Sequence, residues 1–305
     1  SAAESARILE VNLGAVTGAA SGSSGTVTIA NNISGGGNLT IASYASANIS
    51  GGETLTFSGS GNTTVTGAIT PSSTALALTK TGTGTLTLNG SNTYTGNTTI
   101  NGGTVIAGHN SALGTAGTVT LNASDTTLAL ADGVNISRSL VVDNTGSNKT
   151  LALQTGATSA QYSGGITINE SVAGDFKVDV GTGGTLTVAG SIGGAGGAGL
   201  TKSGAGTLVL SASNSYVGGT NVSNGTLQLG NGSIGGSLST SSAISVASGA
   251  AFSVNQSGTV TQGMDFSGSA ITGQGGVTQT GSGTTILTAA NSYTGATNVN
   301  AGTLR

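Results

Sequence analysis

A catalytic or metal site needs side chains that ligate, attack or move protons, and this chain carries few of them. Its 305 residues include one histidine, ten carboxylates, seven basic residues and no cysteine. His109 lies in the segment Gly108-His109-Asn110-Ser111. A Ser–His–Asp arrangement needs a base oriented by a carboxylate, and the sequence has no G-x-S-x-G nucleophile motif to accompany it. His109 therefore reads as a surface-turn residue. Asp175 and Asp179 flank Phe176-Lys177-Val178, with Glu170 nearby. Their even separation would place them on one face of a strand, where they could hold Ca²⁺ or act as the acid/base pair of a polysaccharide-active enzyme. No arginine cluster or tryptophan platform accompanies them, so they read as solvated carboxylates. Without cysteine no thiolate metal site exists. No catalytic, cofactor-binding or metal-ligating residue is assigned.

Three tyrosines form the recurring aromatic set: Tyr94, Tyr216 and Tyr293, each followed two residues on by Gly96, Gly218 or Gly295. They are candidate interaction residues, able to stack on sugars or on a partner strand. The alternative is that each covers the corner of a chain turn before its glycine. Lys80 and Lys202 stand at matched positions ahead of the tyrosine, where the third copy has Gln279. That break in the charge series predicts lysines in solvent, not a shared contact with an anionic partner.

Positioning these residues falls to short strands. The chain has 56 Gly, one Pro and no Trp, with 6% charged residues and a net charge of −3. Disorder needs low hydrophobicity and high net charge, and collagen needs a strict Gly-X-Y period with proline, so both are excluded. Alternating runs such as Thr26–Ile29, Thr85–Leu88, Thr118–Leu121 and Thr185–Val188 put aliphatics on one face and threonines on the other. Gly, Asn and Ser turns separate them. Ala2 to Glu10 is the exception, read as a short capping helix or an irregular first strand. The glycine-rich Gly190 to Gly199 reads as a turn excursion. The basic residues Arg7, Lys80, Arg138, Lys149, Lys177, Lys202 and Arg305 are dispersed, which gives no footprint for nucleic acid or an anionic membrane. No run of apolar residues is long enough to span a bilayer as a helix.

Self-similarity decides the architecture. Residues 78–105 read LTKTGTGTLTLNGSNTYTGNTTINGGTV, residues 200–227 read LTKSGAGTLVLSASNSYVGGTNVSNGTL, and residues 277–304 read VTQTGSGTTILTAANSYTGATNVNAGTL. Three ungapped copies, set in a background of the same strand-and-turn chemistry, predict an all-β solenoid over residues 1–305, a single continuous coil whose rungs pair with those above and below. Rungs of about 20 to 25 residues would give roughly 13 coils, about 60 Å at about 4.8 Å per strand spacing. Thr-x-Thr pairs such as Thr26/Thr28, Thr85/Thr87, Thr118/Thr120 and Thr185/Thr187 suggest a threonine array able to order water, but they are unevenly spaced along the chain. They are read as outward strand-formers.

The pattern L-T-K-x-G-x-G-T-L-x-L, followed by N-x-Y-x-G-x-T and G-T-(L/V), resembles the autotransporter-associated β-strand repeat, or passenger-associated transport repeat. The third copy departs from it at Gln279 and at Thr285-Ile286-Leu287. The resemblance implies a passenger-type, right-handed parallel β-helix displayed at or secreted from the surface of a Gram-negative bacterium, with a repeat that assists export or folding. It also implies an outer-membrane barrel in the whole protein, of which this chain would be a fragment. The expected function is a structural or adhesive stalk without enzymatic activity or cofactor. The expected partners are a host or glycan surface, or further copies associating through terminal rungs or solenoid faces. A self-assembling layer or filament subunit and a β-helical polysaccharide-active enzyme are the alternatives.

Overall fold

Alternation of inward aliphatics and outward threonines leaves each strand with one face to bury and both edges to pair, and the chain meets both needs by coiling on itself. The computed structural model describes residues 10–17, 25–33, 37–46, 52–71, 75–143, 145–169, 176–194 and 197–305, with the backbone alone over 10–17. Its strands pair in parallel, as Glu10–Thr17 does with Asn38–Ala45 and Gly25–Ala30 with Glu53–Ser58, and no described residue is helical. The chain falls into two compact units, Ser1–Ala129 and Leu130–Arg305.

In the first unit one sheet stacks Glu10–Thr17, Asn38–Ala45, Asn62–Val65, Thr85–Leu88 and Thr104–Ala107. A second stacks Gly25–Ala30, Glu53–Ser58, Leu76–Lys80, Thr98–Ile100 and Val119–Leu121. Successive strands of one sheet lie a full turn apart, which defines a parallel β-solenoid. Inward positions form continuous columns, such as Ile41, Val65, Leu88 and Ala107, all buried. Each fully buried Leu or Val contributes about 1.5–3 kcal/mol, so the narrow core needs few aromatics.

The second unit repeats this plan. One sheet runs from Lys149–Leu153 through Phe176–Asp179, Leu200–Ser203, Thr220–Val222 and Ile244–Val246 to Thr272–Gly273. Another runs from Asn135–Ile136 to Thr297–Val299, with the inward column Leu186, Leu208, Leu227, Phe252 and Val277. Phe252 packs a tilted ring on Phe266 with centroids 5.6 Å apart.

Several expectations change. The rungs are less regular than a single repeat length allows: one turn carries the chain from Glu10 to Asn38, whereas a much shorter one carries it from Thr85 to Thr104. The chain makes about 11 turns, because turn excursions absorb more of the sequence than the strand spacing suggested. Part of the glycine-rich segment is itself a rung, with Ile192–Gly193 pairing Ile166–Thr167. Of the expected capping segment, residues 2–9 lie outside the described residues, and Glu10 begins a strand.

Candidate functional site

The three repeats form short rungs, and the two halves of each pair with one another. In the first copy Leu78 is in register with Thr98, and Thr85 with Thr104. The second copy pairs Leu200 with Thr220 and Thr207 with Thr226. The third pairs Val277 with Thr297 and Thr284 with Thr303. Two glycines make the short turn feasible. A Cβ on Gly96, Gly218 or Gly295 would fall 2.5, 2.3 or 2.4 Å from backbone of the rung below. Gly103, Gly225 and Gly302 have φ of 64°, 66° and 62°, the left-handed conformation that glycine adopts without cost.

Tyr94 and Tyr216 are fully buried, and each hydroxyl lies 2.7 Å from the Oγ1 of the threonine four residues on, Thr98 or Thr220. Thr220 extends the chain to Ser242 Oγ at 2.7 Å. Burial pushes the Tyr216 hydroxyl up to about 12. Tyr293 makes the same 2.7 Å bond to Thr297 but is half-buried. The rings of Tyr94 and Tyr216 are thus enclosed by the core, which leaves no face for a sugar to stack on, and Tyr293 alone of the three has surface to offer. Two residues before each tyrosine stands an asparagine whose role the sequence reading missed. Asn92, Asn214 and Asn291 accept from the backbone N–H of Ile69, Ile192 and Ile271 at 2.7, 2.9 and 2.7 Å, each on the preceding turn. Asn92 and Asn214 also donate forward, to the carbonyls of Ala112 and Ser237.

The lysines expected in solvent are buried, which corrects that reading. Lys80 and Lys202 are 3% and 0% exposed. Lys80 Nζ donates to the carbonyls of Thr81, Gly82 and Gly102 at 2.7, 2.8 and 3.2 Å. Lys202 Nζ donates to those of Ser203, Gly204 and Asn224 at 2.7, 2.7 and 3.1 Å. Three ammonium N–H groups meet three carbonyls, and the Lys202 stem fills an aliphatic column between Val178 and Val222. Burial pushes both lysines down to about 8, with Asp179 pulling Lys202 back up. Gln279 serves the same corner without charge, its Nε2 donating to the Gly281 and Gly283 carbonyls and its Oε1 accepting from Thr285 at 2.6 Å. Another buried polar group, Glu53, accepts the hydroxyl hydrogen of Tyr44 inside the first unit, and burial holds that phenol well above its ordinary range.

His109 is exposed in a turn, its Nδ1 accepting from the Ser111 N–H at 3.0 Å. Asp179 accepts from Ser203 Oγ at 2.8 Å, while Asp175 and Glu170 lie outside the described residues. Among the described residues no three His, Cys, Asp or Glu side chains cluster.

What the rungs hold outward is a lattice of small neutral groups. In the first unit Thr28, Thr56, Thr79, Thr99 and Thr120 stand in consecutive register on one face. Thr26, Thr54 and Ala77 flank this column on one side, and Ala30 and Ser58 on the other. Turn excursions of different length keep the register although the sequence spacing is uneven. The Thr85/Thr87 pair belongs to the other sheet, so the spacing of such pairs along the sequence does not report their alignment on a face.

These features define a parallel β-solenoid built around export-type repeats: the family model Passenger-associated-transport-repeat matches residues 78–107, 200–229 and 277–305. Beyond the repeats, the chain is similar to the protein named Adhesin BmaC autotransporter of Brucella suis biovar 1 (strain 1330). The two are 36% identical over an alignment of 270 residues that covers 76% of this chain and 7% of that protein. The chain thus spans about 7% of the length of the curated relative it matches. No solved structure matches it.

Proposed function

We propose that the chain is a stretch of a bacterial surface passenger that binds through its outward faces and performs no catalysis. The observation that carries this reading is the neutral threonine column of the first unit, five rungs deep. Hydroxyls repeated at the strand spacing of about 4.8 Å make many weak, identical contacts, and many such contacts together give avidity without a deep pocket. Further support comes from the similarity to a protein named as an autotransporter adhesin. On this reading the protein sits outside a Gram-negative cell, in a longer chain ending in an outer-membrane barrel. The repeats act as self-pairing rungs, each closing on itself as soon as its second half emerges.

The test is attachment. Beads coated with the purified chain should adhere to host cells above beads coated with an unrelated β-protein. Because the face is uncharged, attachment should survive high salt, which screens contacts between exposed charges. Adhesion equal to the control, or abolished by salt, would reject the proposal.

A further inference from the structure

A second feature lies on the second unit and does not depend on the face described above. A surface groove of about 540 Å³ runs across successive rungs of the sheet that contains Leu200–Ser203, Thr220–Val222 and Ile244–Val246. One row of its lining is Thr201, Asn221, Ser245 and Thr272, four outward side chains in consecutive register. The parallel row is almost without side chains, with Gly219 and Ala243 adjoining in the lining.

Gly219 is informative because the fold does not require glycine there. Its φ is not in the left-handed region. A Cβ would meet nothing nearer than the Ala243 carbonyl at 3.6 Å, an ordinary contact. The neighbouring Gly218 is different, since a Cβ there would collide with backbone at 2.3 Å. The other repeats confirm the distinction: the position that follows the close-packed glycine is Asn97 in the first copy and Ala296 in the third. The second copy alone leaves it empty, and the space so left is part of the groove.

The lining carries no charge. In the same column Lys177 stands beyond Thr201, its ammonium donating to Asn148 Oδ1 at 3.1 Å. An ionic ligand would find no counter-charge on the groove walls, and a compact apolar one would leave the hydroxyl row unpaired, at a cost comparable to lost hydrogen bonds. An extended chain of neutral, hydroxyl-bearing units satisfies both rows. Its hydroxyls pair with Thr201, Asn221, Ser245 and Thr272, and its C–H faces lie on the bare backbone at Gly219. The rung spacing of about 4.8 Å is close to the length of one pyranose in an extended chain. We infer that this groove binds a neutral linear polysaccharide, about one sugar per rung.

The experiment uses immobilised glycans as probes: neutral linear glucans, mannans and xylans beside acidic polyuronates and sulfated chains. The expected result is retention of at least one neutral chain, weakened tenfold or more by Gly219→Val, which fills the floor. Strand content and melting temperature should match the unsubstituted chain. Asn221→Ala, which alters an exposed side chain, is the second variant and should also weaken retention. The inference is overturned if no neutral chain is retained, if only acidic chains are, or if both variants bind as tightly as the parent. None of these outcomes bears on attachment through the threonine face of the first unit.

Discussion

Lysine in the L-T-K run illustrates how a residue's role follows from parity. Leu78 and Lys80 are two apart on one strand, so they share a face, and Leu78 faces the core. The inward orientation was therefore legible in the sequence; the expectation of solvent came from weighing charge above alternation. What the sequence does not show is the ring of three carbonyls, which exists only once the next rung closes over it. The natural Gln279 indicates that hydrogen bonds matter at this corner more than charge. Lys202→Gln should accordingly leave the denaturation midpoint close to the parent value, whereas Lys202→Met should lower stability by about 2 kcal/mol, the cost of leaving buried carbonyls unsatisfied. Titration gives an independent reading. Both lysines sit at about 8 when folded, against an ordinary 10.5. From about pH 8 upward the unfolded chain therefore binds more protons than the folded one, and stability rises with pH. Above pH 10 the buried tyrosines, raised from 10.0, act in the opposite sense. Thermal melts between pH 7.5 and 9.5 should show the rise in the parent and a flatter profile in a Lys80→Gln/Lys202→Gln variant. A parent profile that falls over that range would contradict the assignment.

At the scale of the rung, the repeat is legible as a unit but its geometry is not. Three ungapped copies announce a recurring element, and alternation gives the face of each strand. The register between turns depends on how much chain the excursions absorb, which differs widely between the Glu10–Asn38 turn and the Thr85–Thr104 turn. That is why the threonine column from Thr28 to Thr120 could not be read from spacing alone. The register of Leu78 with Thr98 makes a specific demand. Deleting residues 78–97 joins Ala77 to Thr98 and preserves alternation, so the shortened chain should keep its strand circular dichroism and melt cooperatively. Deleting residues 78–96 instead turns the following strand's apolar set outward, and should yield a chain that melts at least several degrees lower or aggregates. Equal stability of the two deletions would refute the register.

At the scale of the whole molecule, the chain's net charge of −3 and its 6% of charged residues leave binding to hydroxyls, amides and backbone. The candidate tyrosines show the limit of reading a site from recurrence: Tyr94 and Tyr216 recur because the corner they fill recurs, and burial hides them. The neutral face recurs on the outside, where the core places no demand on the side chain and β-branched threonine suits the strand. The most direct measurement is attachment of a Thr56→Lys/Thr79→Lys/Thr99→Lys variant, which places three ammonium groups in one outward column without touching the core. Like charges in register repel across strands, so the variant's melting temperature is recorded alongside and should drop by no more than a few degrees. Attachment to host cells should fall at least tenfold while the chain remains folded. Undiminished attachment by the folded variant would contradict binding through this face.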